Sequence, residues 1–167
     1  GHLAILTFAT ILGYGVAALV LAVTGAAIDA GSLGAFGMMI GSSVLLGAVF
    51  IAIGYLVSAL VRERATAAGI AIGIWLLLVV IYDMALLGLL VLDQGRTLSG
   101  AVLNALLLAN PTDVYRIFNL SGSANVSLFS GMAGLADAIA LNPFVLLVAL
   151  IAWALLPLSL AALAFSR

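Results

Sequence analysis

The chain is a succession of long apolar runs divided by short polar breaks, and the distance between breaks predicts membrane-crossing helices. Residues 3–25 carry no charged side chain and exceed the roughly 20 helical residues needed for a hydrocarbon core of about 30 Å. A turn at 26–33 holds Asp29 and Gly31, and a second run, 34–61, ends at Arg62-Glu63-Arg64. The third run, 67–92, closes at Asp93-Gln94-Gly95-Arg96. The fourth, 144–165, is launched by Asn142-Pro143 and ended by Ser166-Arg167. Pro157 removes one backbone donor from the fourth run, which predicts a kink or a Trp153 carbonyl left for another partner. Gly37 and Gly41, and again Gly69 and Gly73, stand four apart, and Gly47 and Gly54 follow the first pair; such spacing admits close helix approach.

One long segment, 93–142, cannot cross as a simple span. Leu98 to Ala109 is apolar but too short, since a crossing needs about 20 residues. Its centre reads Asn110-Pro111-Thr112-Asp113-Val114-Tyr115-Arg116-Ile117-Phe118-Asn119-Leu120. Asn110 can cap a helix whose first position is Pro111, where the missing donor costs nothing. Asp113 then falls in the first turn, favoured by the helix dipole, and Val114, Ile117 and Phe118 share one face. Leu128, Met132, Leu135 and Ile139 form another one-sided stripe, with Asp137 off it. The expected fold is therefore all-α: a polytopic transmembrane bundle of four spans in a single membrane domain, 1–167. An outer amphipathic or re-entrant helical segment, 93–142, caps it between the last two spans.

Composition agrees with this class. The chain is 66% hydrophobic and 7% charged, with mean hydropathy +1.42, outside the range of soluble domains. No cysteine is present, so no disulfide, thiolate metal site or thiol nucleophile exists in these residues. The net charge of −1 and the lack of lysine argue against a nucleic-acid partner. The opening Gly1-His2, leading straight into an apolar run without a signal-peptide pattern, suggests the C-terminal part of a longer protein.

The arginines set the orientation. With four spans, Arg62, Arg64 and Arg167 share one side with Glu63, while Arg96 and Arg116 share the other with Asp29, Asp93, Asp113 and Asp137. The positive-inside rule, by a margin of one arginine, puts 62–64 in the cytoplasm and the 93–142 segment outside, as in a multi-pass protein of a bacterial inner membrane.

Candidate chemistry is sparse. Asp83, beside Tyr82, is the one ionisable residue deep within a span, so the two are candidate intramembrane functional residues. The structural alternative is that Asp83 bonds a Ser, Thr or Asn on a neighbouring helix or reaches water. Arg62, Glu63 and Arg64 are candidates for a cytoplasmic partner or for anionic lipid headgroups, with a topogenic anchor as the alternative. Asn110, Pro111, Asp113, Tyr115 and Arg116 are candidates for contact with a partner outside. His2 suits an interfacial site better than a metal site, and Met38, Met39, Met84 and Met132 are scattered as packing residues rather than grouped for Cu(I). With a single His, no Ser/His/Asp set, no paired acidic cluster and no Gly-x-x-x-x-Gly-Lys loop, the chain has no catalytic, cofactor or metal site of its own. It is not expected to be an enzyme.

A polytopic chain with an outer segment between its last two spans resembles the ABC-2 type permeases. The string from Asn110 to Gly122, with Ile81-Tyr82-Asp83-Met84 and Arg64-Ala65-Thr66-Ala67-Ala68-Gly69, is similar to the permeases of the ABC transporter that matures nitrous oxide reductase in denitrification. That resemblance, which covers essentially the whole chain, implies a six-span permease of which these residues form spans three to six. The first two spans and a cytoplasmic coupling helix would lie before Gly1. It further implies a homodimer, with ATP and Mg held on two copies of a partner ATP-binding subunit inside, and a periplasmic β-helical maturation protein outside. The outer segment would be the dock for that protein. ATP-driven closure would support copper-site assembly on the reductase. The absence of Cys, the single His and the dispersed Met favour force transmission, or export of a sulfur-containing species that the resemblance suggests, over copper conduction. Two alternatives share the membrane architecture: a generic ABC-2 exporter of lipid, polysaccharide or drug, and a secondary transporter with Asp83 as its coupling carboxylate.

Overall fold

The computed structural model describes residues 1–24, 30–93, 98–121 and 141–166. These form α1 (His2–Val23), α2 (Ala30–Leu60), α3 (Arg64–Leu76), a π-helical turn (Leu77–Ile81), α4 (Tyr82–Asp93), α5 (Gly100–Leu108), α6 (Pro111–Ser121) and α7 (Pro143–Phe165). No strand occurs among the described residues. Four continuous helices are long and apolar enough to cross a membrane: His2–Val23, Leu33–Leu60, Arg64–Asp93 and Pro143–Phe165. The third is one rod, because the π turn joins α3 to α4 without a break. At α7 the Asn-Pro device works as its chemistry dictates, the Asn142 Oδ1 accepting the Phe144 N–H at 2.9 Å. α7 runs on through Pro157, which is buried.

α2 is the hub, packing on α7 most extensively and also on α1, α3 and α6. Val49, Ile53 and Val57 of α2 meet Ala67 of α3 and Leu78 of the π turn, with Trp153 and Ala154 of α7 closing the cluster. Most other apolar side chains face outward: α1 has no buried residue, and Phe8 is 68% exposed. Such a surface suits lipid rather than water. Gly47 is the one described glycine whose missing Cβ matters, since an added Cβ would lie 2.6 Å from the Leu6 methyls of α1. Gly37, Gly41, Gly54, Gly69 and Gly73 meet nothing within 4 Å, so their spacing serves no helix contact within this chain.

Residues 98–121 take the re-entrant form of the expected segment rather than lying across the bundle end. α5 descends along α4, Leu103 and Leu107 packing on Leu86. The chain turns at Ala109–Asn110, and α6 returns between α2 and α7, its Val114 packed on Leu146 and Leu150. The tip lies beside Leu78, the fifteenth residue of the 30-residue Arg64–Asp93 helix and therefore at its middle. With 9 and 11 residues, α5 and α6 are each about 14–17 Å long, half a crossing. The stripe from Leu128 to Ile139 and the Asp29, Arg96 and Asp137 positions lie outside the described residues.

Candidate functional site

A half-length helix pair leaves helix ends in the interior of the bundle, where every backbone group needs a partner. The spans supply them. The Leu106 carbonyl accepts the Tyr82 hydroxyl at 2.8 Å, and the Leu108 carbonyl accepts the Trp153 indole N–H at 3.1 Å. At the start of α6, the Asn110 Oδ1 accepts the Thr112 N–H at 3.1 Å, the capping bond expected from the sequence. The Asn110 Nδ2 donates at 2.9 Å both to the Leu78 carbonyl and to the Asp113 carboxylate. A π turn has looser backbone bonding than an α turn, and its Leu78 carbonyl is met by the hairpin. Asn110, 0% exposed, thus holds the tip to the third span while capping α6.

One turn further along α6, Arg116 Nη1 donates to Asp83 Oδ1 at 2.7 Å and lies 3.5 Å from Asp113 Oδ1. An arginine guanidinium stays cationic in proteins, so Arg116 meets both carboxylates as a cation. The opposite side of α6 is tied to α2 by hydroxyls. Tyr115 and Ser43 are 3.0 Å apart, Ser43 and Tyr14 of α1 are 3.0 Å apart, and Ser42 donates to Asn119 Oδ1 at 3.0 Å.

The structure therefore brings Tyr82, Asp83, Asn110, Asp113 and Arg116 into one cluster and leaves Arg62, Glu63 and Arg64 apart. The latter occupy the exposed α2–α3 turn, where Glu63 accepts the Thr66 hydroxyl at 2.7 Å. Asn110, Pro111 and Asp113, expected to face an outer partner, are instead buried. Their polar groups satisfy the hairpin tip, which leaves them no surface to offer. Asp83 bonds neither a Ser, Thr nor Asn but Arg116. That pairing was missed, although a carboxylate inside a span demands a counter-charge and its side of the membrane offers only Arg96 and Arg116. Tyr14, Ser42, Ser43 and Trp153 carried no spacing signal. His2 Nδ1 is 2.8 Å from the Tyr55 hydroxyl, a polar tie between α1 and α2.

Four apolar helices of crossing length, with a polar-tipped hairpin folded halfway among them, define a multi-pass helical membrane protein. A family model described as "ABC-2 family transporter protein" matches residues 1–167, and the chain belongs to that family. It is 44% identical over 168 aligned residues to the probable ABC transporter permease protein NosY of Pseudomonas aeruginosa. The probable ABC transporter permease protein NosY of Stutzerimonas stutzeri is 42% identical over 168. Each alignment takes in 100% of this chain and 60% of the relative, so the chain spans about three-fifths of the length of these curated relatives.

Proposed function

We propose that the protein is the permease subunit of an ABC transporter that supports copper-site assembly on nitrous oxide reductase. The observation that carries this reading is the 42–44% identity, along the whole chain, to two permeases named NosY. In this reading the permease is a homodimer in a bacterial inner membrane, and ATP and Mg are held by a separate ATP-binding subunit docked on the cytoplasmic side. The exposed Arg62–Arg64 turn is available to that subunit or to lipid headgroups. A periplasmic β-helical partner would meet the outer ends of the hairpin, near Ser99 and Ser121, since the tip residues are enclosed.

The geometry supports force transmission. The hairpin tip is bonded to the third span through Leu78 and Tyr82 and to the fourth through Trp153. Relative movement of those spans, driven by closure of the ATP-binding subunits, would displace the hairpin and whatever rests on its outer ends. The secondary-transporter alternative loses its motive, because Asp83 is engaged by Arg116 and the family is one of ABC transporters.

The test is complementation of a denitrifying strain that lacks its own permease with the full-length parent protein. Co-purification of an ATP-binding subunit and recovery of copper in the reductase are expected. Recovery of the ATP-binding subunit without copper in the reductase would favour a generic exporter of lipid, polysaccharide or drug. Recovery of neither would overturn the ABC reading of the whole protein.

A further inference from the structure

The charged cluster sits at a depth where charge is not tolerated against lipid, yet it is open. Asp83 is ten residues (93 minus 83) before the end of α4 at Asp93, about 15 Å inward along the helix and about 7.5 Å outside the level of Leu78, so within the hydrocarbon depth. The Arg116 side chain is nevertheless 48% exposed and that of Asp83 28%. The opening has a simple origin. α2 packs on α3 but makes no comparable contact with α4, and α6 stands between them with Tyr115 turned to α2 and Asp113 to the third span. Arg116 lies on the face between these two.

Two further features decide what fills the opening. Asp83, Asp113 and Arg116 sum to one negative charge if both carboxylates are ionised, and Arg116 uses only Nη1, so the remaining guanidinium donors have no acceptor among the described residues. Lipid at this surface would strand both charges in hydrocarbon. A protein surface would desolvate the pair and still leave donors and a net charge to be matched. Water matches all of them. We propose that the opening between α2 and α4, at the Asp83–Arg116 pair, is a water-filled cavity reaching about 15 Å inward from the outer end of α4. The proposal deepens the transporter reading by giving the permease an aqueous face along α4 and α6.

Single cysteines test this in the full-length parent, in its native membrane and in a background without other accessible cysteine. Leu87→Cys lies one turn from Asp83 on α4, and Leu87 is 52% exposed. Val148→Cys lies at similar depth on α7, and Val148 is 47% exposed. Thiosulfonates react with the thiolate, which needs water, so a charged membrane-impermeant methanethiosulfonate should modify Leu87→Cys at least about tenfold faster than Val148→Cys. Equal, slow modification of both would show the opening closed to water, by lipid or by the rest of the parent protein, and overturn the proposal. Protection of Leu87→Cys with oxidative cross-linking between two copies would also overturn it, by showing a second permease there. Co-purification of the ATP-binding subunit is scored separately on the same membranes. Its loss would count against the transporter reading and leave the labelling contrast to be judged alone.

Discussion

Replacing Asn110 with Ala should destabilise the protein more than any other single polar substitution in the hairpin, because one side chain serves three buried groups. The Thr112 N–H loses its capping acceptor, a loss of about 1 kcal/mol. The Asp113 carboxylate, on a residue only 3% exposed, loses its donor, which for a charged acceptor is about 1.5–3 kcal/mol. The Leu78 carbonyl loses a bond between separate elements, and such bonds inside membranes average only about 0.6 kcal/mol because the unfolded chain also finds partners there. Since one amide makes all three bonds, the terms are not additive, and a total of about 2–4 kcal/mol is expected. Asn110→Ser keeps a capping oxygen but cannot reach Leu78, so it should recover about 1 kcal/mol. The assay is SDS-driven unfolding of the full-length protein in mixed micelles, followed by tryptophan fluorescence, with Trp153 bonded to the adjacent Leu108 carbonyl. An Asn110→Ala variant within about 0.5 kcal/mol of the parent, or Ser and Ala variants of equal stability, would refute the argument that this residue fastens the tip.

Three further outcomes follow from the same geometry. Arg116→Gln leaves two carboxylates facing each other without a cation and should cost about 1–2 kcal/mol in the same assay; adding Asp83→Asn should return part of it, whereas independent additive losses would deny the coupling. Gly47→Ala brings a Cβ to within 2.6 Å of Leu6, so it should destabilise the α1–α2 contact, and Leu6→Ala should rescue it; lack of rescue would mean that the clash lies elsewhere. The Thr112 hydroxyl is buried without a hydrogen-bond partner, so Thr112→Val should be neutral or stabilising by about 1 kcal/mol, and a clear loss of stability would reveal a partner water.

The spans were legible because lipid imposes a length and an apolar composition that few other environments impose, and the charged breaks at Arg62–Arg64 and Asp93 mark where two of them stop. The cap and first turn of α6 were equally legible, since Asn-Pro-x-Asp encodes local bonds within a few residues. What the sequence did not reveal was direction. A 12-residue apolar run ahead of a polar helix reads as readily as a cap on the surface as a hairpin plunging into it. The distinction rests on long-range pairs: Tyr82 with Leu106, Trp153 with Leu108, and Asn110 with Leu78. No periodicity within either partner announces them. Asn110 and Asp113 mislead for the same reason: polar residues read as exposed, whereas the surrounding backbone ends need them inside.

The distribution of bonds over the hairpin bears on how such a subunit could work. On its α7 side α6 is held by apolar packing, with Val114 against Leu146 and Leu150, which tolerates sliding because it is non-directional. On the hairpin's third-span side the fastening is polar and directional, through Asn110 and the Arg116–Asp83 pair on α6 and the Tyr82 bond to Leu106 of α5. A displacement between the last two spans would therefore be taken up along the α7 face before it broke the bonds to α4 and to α2, and the hairpin would stay with the third span and α2. Among the described residues the Trp153–Leu108 bond is the polar tie between the hairpin and α7, and it sits at the tip, where a rotation about Asn110 moves atoms least. A rod pivoting near its inner end produces its largest displacement at the outer ends, Ser99 and Ser121.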